Sequence, residues 1–150
     1  MPVSSPPYDS SSRPHPEDEA LQVLLVEDNP GDARLFEEHL REGPVAAQLR
    51  HEETLGAGLE ALREERPDVL ALDLGLPGSE GAETVKAVAA ADLEVPIVVL
   101  TGQGDLQVAL QAQEAGATEY LQKEELGPAL VGRTLRWAVR QRPLPSRPLR

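Results

Sequence analysis

Five short apolar runs recur along this 150-residue chain, separated by longer stretches whose apolar residues repeat at helical spacing. That alternation leaves few folds open. The runs are Gln22–Val26, Ala46–His51, Val69–Leu72, Pro96–Leu100 and Glu119–Gln122, the second thinly alternating and placed partly by elimination. Between them Ala33, Phe36 and Leu40, then Leu55, Leu59 and Leu62, recur three or four residues apart, as one face of a helix does. Thr54 and Ser79 stand where helix N-caps are expected, and Gly43, Pro67 and Gly116 follow helical segments. A fifth helix, Pro128–Arg142, closes the pattern. Strands alternating with helices predict an α/β fold, a five-stranded parallel sheet covered on both faces. Ile97–Leu100 is apolar throughout, as a strand buried on both sides must be.

Residues 1–20 are rich in Pro, Ser and charge and are read as a disordered N-terminal tail; 143–150 read as a flexible basic tail. The folded domain is expected over 21–142. With one Trp, one Phe and two Tyr, its core must be built from Leu, Val, Ala and Ile. The absence of cysteine excludes disulfides and thiolate metal sites. No apolar run reaches the roughly 18–20 residues that cross a bilayer, and no basic-then-apolar leader opens the chain, so no membrane insertion and a cytoplasmic location are expected. The net charge of −12 is uneven: residues 1–127 hold all 26 acids, whereas 128–150 hold six arginines and no acid. An acidic body argues against nucleic-acid binding, which needs basic surface to displace counterions. The basic end reads as a solvated helix face and tail, with contact to an acidic partner as the alternative.

In such sheets the functional crevice lies beyond the carboxyl ends of the strands. Glu27 and Asp28 follow the first run, Asp73 ends the third, Thr101 follows the fourth and Lys123 the fifth. The second run delivers nothing comparable, which suits a border strand. Three carboxylates crowded at one edge repel one another, and a divalent cation relieves that repulsion. Hard oxygen ligands without His or Cys favour Mg²⁺, with Mn²⁺ as a substitute. Such an ion would orient a phosphoryl group for in-line transfer to Asp73 as nucleophile, with Lys123 and Thr101 contacting its oxygens. Singly, each residue reads as a turn-former, a cap or a surface charge. Independent accidents do not collect at the ends of four strands.

The assembled pieces, LLVEDNPGDARL at 24–35, LALDLGLPGSEG at 70–81, VVLTG at 98–102 and GATEYLQK at 116–123, resemble the response regulator receiver family, whose simplest members are single-domain regulators like that of chemotaxis. The resemblance covers 21–142. It implies a flavodoxin-like, doubly wound sheet of strand order 2-1-3-4-5 with five helices, phosphorylated on Asp73 within a two-component phosphorelay. It further implies Mg²⁺ bound directly by Asp28 and Asp73, through water by Glu27, and by the carbonyl of Gly75. Thr101 and Lys123 match the phosphate-contact positions, and Thr101 with Tyr120 the switch pair. Two positions depart from the family pattern: Glu27 replaces the commoner Asp, and Glu124 stands where a proline usually follows the lysine. A cis bond before a non-proline residue costs roughly 2.5–4 kcal/mol, so a trans bond and a differently shaped loop are expected.

The implied donor is a sensor histidine kinase or phosphotransfer protein, and the protein is a signalling phosphoacceptor rather than an enzyme with a separate substrate. No output module follows Arg142, so a stand-alone regulator acting on a downstream protein target is expected, or one that forms a homodimer through the fourth- and fifth-helix face. The last helix sets Leu130, Thr134 and Trp137 near one side and Arg133, Arg136 and Arg140 near another, and Trp137 is expected to pack inward. The rival readings are a docking module on the same fold that is not phosphorylated, a flavodoxin-type cofactor protein and a dehalogenase-type phosphatase. The cofactor protein wants a phosphate-cradling loop where Glu27–Asp28 stand; the phosphatase wants a second Asp where Gly75 stands.

Overall fold

The computed structural model describes residues 20–76, 81–91, 94–102 and 106–141. Strands β1 (Leu21–Val26), β2 (Ala47–Glu52), β3 (Val69–Asp73), β4 (Ile97–Thr101) and β5 (Glu119–Gln122) alternate with helices α1 (Pro30–Glu42), α2 (Leu55–Glu64), α3 (Ala82–Ala90), α4 (Leu106–Glu114) and α5 (Pro128–Arg140). All neighbouring strands pair in parallel, in the order β2-β1-β3-β4-β5. The expected flavodoxin-like topology is the observed one, with strand bounds moved by one residue at most. Among the described residues no helix is long and apolar enough to cross a membrane.

Alternation along the strands builds two core layers. Val23, Leu25, Val69, Ala71, Val98, Leu100 and Leu121 pack under α1 and α5, against Phe36, Leu40, Val131 and Leu135. Leu24, Val26, Leu70, Leu72, Ile97 and Val99 face the other way, against Ala61 and Leu62 of α2, Val85 and Val88 of α3 and Ala112 of α4. The central strands β3 and β4 are buried at every position, which is why their sequences are continuous apolar runs. Strand β2 alternates partly buried with exposed residues, as an edge strand does.

The helix ends are set by local chemistry. Asn29 caps α1, its Oδ1 accepting from the Asp32 amide at 3.0 Å, with Pro30 at the first helical position. Thr54 caps α2 as the sequence predicts, accepting from the Ala57 amide at 3.0 Å. The expectation for α3 needs correction: Gly81 occupies its N-cap position without a side-chain bond, so the helix starts later than a Ser79 cap would place it, and Ser79 lies outside the described residues. After α4 the chain turns at Gly116, whose φ of +128° a side chain would strain. No cis peptide occurs among the described residues, and Lys123–Glu125 form a single 3₁₀ turn leading into α5.

Helix α5 also corrects an expectation. Its inward stripe is Val131, Leu135 and Ala138, one residue on from Leu130, Thr134 and Trp137. That offset, about a quarter turn, leaves Trp137 46% exposed beside exposed Arg133 and Arg140. The helix ends at Arg140, and the two tails lie outside the described residues apart from Ala20.

Candidate functional site

Four loops meet at the carboxyl ends of β1, β3, β4 and β5 around an open cleft of about 830 Å³, lined by Glu27, Asp28, Asp73, Gly75, Thr101 and Lys123 among others. The sequence singles out seven positions, and six of them line this one cleft. The seventh, Tyr120, is half-buried on β5, packs against the α2–α4 layer and stands outside the cleft lining.

Glu27 and Asp73 are buried, 1% and 5% exposed, while Asp28 is open to solvent. Each offers a carboxylate oxygen within 4.8 Å of the others. Lys123 reaches in from the end of β5: its Nζ lies 2.9 Å from Glu27 Oε1, 2.9 Å from Asp32 Oδ2 and 3.3 Å from Asp73 Oδ1. The Asp32 contact is a hydrogen bond donated by the ammonium. The Glu27 contact is an ion pair by distance, but its alignment leaves Oε1 without a hydrogen bond. Asp73 Oδ1 also accepts from the Gly75 amide at 3.0 Å. Thr101 is 2% exposed and its Oγ1 has no hydrogen-bond partner among the described residues. A buried hydroxyl without a partner costs free energy unless something in the cleft receives it.

Burial pushes the Glu27 carboxyl up to about 7, the neighbouring Asp73 adds to the rise, and the Lys123 ammonium pulls it back. Burial alone would lower Lys123, but the hydrogen bond to Asp32 and the charges of Glu27 and Asp73 hold it above its ordinary value. The cleft is therefore an acidic cup with one fixed cation in its wall. Three hard oxygen donors within reach of one another, with no sulfur or nitrogen ligand among them, fit Mg²⁺.

Two supports escape the sequence reading. His51, at the end of β2, places Nε2 2.7 Å from the Glu27 carbonyl oxygen. A carbonyl only accepts, so Nε2 carries the hydrogen. The Glu27 amide bonds the Glu52 carbonyl at 3.0 Å, and the Asn29 amide donates to Glu27 Oε2 at 3.2 Å. The border strand thus clamps the acidic loop, although it lends no ligand. Asp32 is the other: its helix begins straight after the acidic pair, so the first turn of α1 had to face the same rim.

The family model for the response regulator receiver domain matches residues 23–134. The chain belongs to this family. Among curated relatives, the receiver domain is 38% identical over 116 residues to the DNA-binding response regulator MtrA of Mycolicibacterium smegmatis, covering 75% of this chain and 48% of that protein. It is 31% identical over 137 residues to the C4-dicarboxylate transport transcriptional regulatory protein DctD of Pseudomonas aeruginosa, covering 90% of this chain and 29% of that protein. The chain thus spans about half, or less, of the length of these relatives. Among solved structures, a two-component response regulator of the LuxR family from Aurantimonas sp. SI85-9A1 superposes with a TM-score of 0.71 at 26% identity, covering 83% of this chain and 88% of that one. A response regulator receiver domain protein from Clostridium thermocellum shares the fold at a TM-score of 0.69 and 22% identity, covering 81% and 95%.

Proposed function

We propose that this receiver domain accepts a phosphoryl group on Asp73 from a histidine kinase or phosphotransfer protein in the cytoplasm, with Mg²⁺ as cofactor, and passes the signal on by changing shape. The observation that carries the reading is the surroundings of Asp73: a buried carboxylate at a strand end, 3.3 Å from an ammonium and within 4.8 Å of two further carboxylates. The Gly75 amide and Lys123 both contact Oδ1, so Oδ2 is the oxygen assigned to the attack. An Oδ2–P bond forms while the donor's bond to phosphorus breaks, and the donor keeps the electron pair. Bound Mg²⁺ offsets charge on the phosphoryl oxygens and aligns the group for displacement. Asp28 and Asp73 would hold the ion directly, Glu27 through water, and the Gly75 carbonyl would complete the protein ligands. Lys123 supplies the fixed positive charge for a phosphoryl oxygen, and the unpartnered Thr101 hydroxyl donates to another.

Thr101 then moves toward the phosphoryl group and Tyr120 follows, reshaping the face of α4, β5 and α5, where Trp137 is exposed beside β5. A protein target reads that face. Spectra or structures with and without beryllofluoride in which Tyr120 stays put would defeat this step.

Incubation with acetyl phosphate and Mg²⁺ should add one phosphoryl mass to the intact protein and none to Asp73→Asn. If the wild type gains no mass, the domain is a docking module on a receiver frame, and the phosphoacceptor reading fails.

A further inference from the structure

Lys123 Nζ is shared among three carboxylates, and only two of them belong to the set that phosphoryl transfer requires. The third, Asp32, sits in the first turn of α1, where its amide is held by Asn29 Oδ1. Its side chain is 42% exposed, yet its Oδ2 accepts a hydrogen bond from the Lys123 ammonium at 2.9 Å, as close as Glu27 and closer than the 3.3 Å to Asp73. We propose that Asp32 is a positioning residue for Lys123: it holds the ammonium toward α1 and so sets how much of that charge reaches a phosphoryl group on Asp73.

An ammonium has three hydrogens, and one of those on Lys123 is directed to Asp32 Oδ2. When a dianionic phosphoryl group arrives on Asp73, Lys123 must turn toward it, and Asp32 competes for the same cation. An acidic side chain in the first turn of a helix has an ordinary role as well, since it complements the helix dipole. That role would affect the stability of α1 without reporting on Lys123, and the two are separable.

The inference rests on the phosphoacceptor reading, and the experiment distinguishes the two failures. Initial rates of phosphorylation by acetyl phosphate, at saturating Mg²⁺, are read by intact mass for four proteins: wild type, Asp32→Asn, Lys123→Ala and the double variant. Asp32→Asn should be faster than wild type by roughly two- to fivefold, the range of a partly exposed ion pair. With Lys123 already replaced, the same substitution should leave the rate unchanged. Equal acceleration in both backgrounds means that Asp32 acts only by repelling the anionic donor through space, and the proposal falls. No acceleration in either background overturns it too. If the wild type takes no phosphoryl group, the phosphoacceptor reading fails first and this inference falls with it.

Discussion

Glu27 and Lys123 form an ion pair across the cleft, Oε1 to Nζ 2.9 Å apart, with the carboxylate side chain 1% exposed and the ammonium side chain 21%. Burial wins over pairing at the carboxylate, whose proton affinity rises until it titrates at about 7 rather than at its ordinary 4.5. Between those values the folded chain holds a proton that the unfolded chain releases. The Glu27 contribution is therefore fully present below the lower value and is lost as pH rises through the upper one. Urea unfolding of wild type and Glu27→Gln should show the wild type losing ground between about pH 4.5 and pH 7, by at most about 1.4 kcal/mol per pH unit. Parallel curves would contradict the burial argument.

Magnesium should stabilise the folded chain. An ion held by Asp28, Asp73 and Glu27 binds the native state alone, and at a hundredfold excess over its dissociation constant adds about 2.7 kcal/mol. Thermal unfolding with and without Mg²⁺ measures this. Asp28 is exposed, so Asp28→Asn should fold normally and lose most of the shift. An equal shift in that variant would place the ion elsewhere.

Gly43 marks where the end of α1 meets the start of α5: a Cβ there would collide with the Pro128 carbonyl oxygen. Its φ of −85° is open to any residue, so the cost of Gly43→Ala is steric. We expect a loss of about 1–3 kcal/mol in urea unfolding. At Gly56 in α2 an added Cβ would meet none of the described residues within 4 Å, and Gly56→Ala should gain about 0.4–1 kcal/mol. The opposite signs are the test.

Helix α5 offers a second contrast. Leu135 is fully buried and Trp137 is 46% exposed. Leu135→Ala should cost about 2–5 kcal/mol, whereas Trp137→Ala should stay within about 0.5 kcal/mol, both followed by circular dichroism. If Trp137 lies in a homodimer contact, its replacement will lower the sedimentation mass; an unchanged mass removes that role.

The fold was legible because the strands carry their burial in their composition. Val69–Leu72 and Ile97–Leu100 face packed side chains on both sides and admit only apolar residues. The cleft was legible for a related reason: a parallel sheet puts all its strand ends at one rim, so Glu27, Asp28, Asp73, Thr101 and Lys123 converge once the strands are placed. His51 and Asp32 were harder. His51 acts through a backbone carbonyl, which leaves no chemical signature in a sequence, and Asp32 is one acid among 26 until the Lys123 ammonium is seen beside it. Trp137 was misjudged because a stripe shifted by one residue also satisfies helical spacing. Position along the helix gave its period but not its phase, and the phase was set by the sheet beneath.

Along β3, Asp73 continues the side of the sheet that carries Val69 and Ala71, under α1 and α5; Thr101 continues the opposite side, with Ile97 and Val99, under α2, α3 and α4. An event at this rim therefore grips the domain by two separate handles. Traction on the hydroxyl is delivered to one half of the interior, and traction on Asp73 and its ammonium neighbour to the other. A substitution deep in either half can loosen one handle while leaving the other taut.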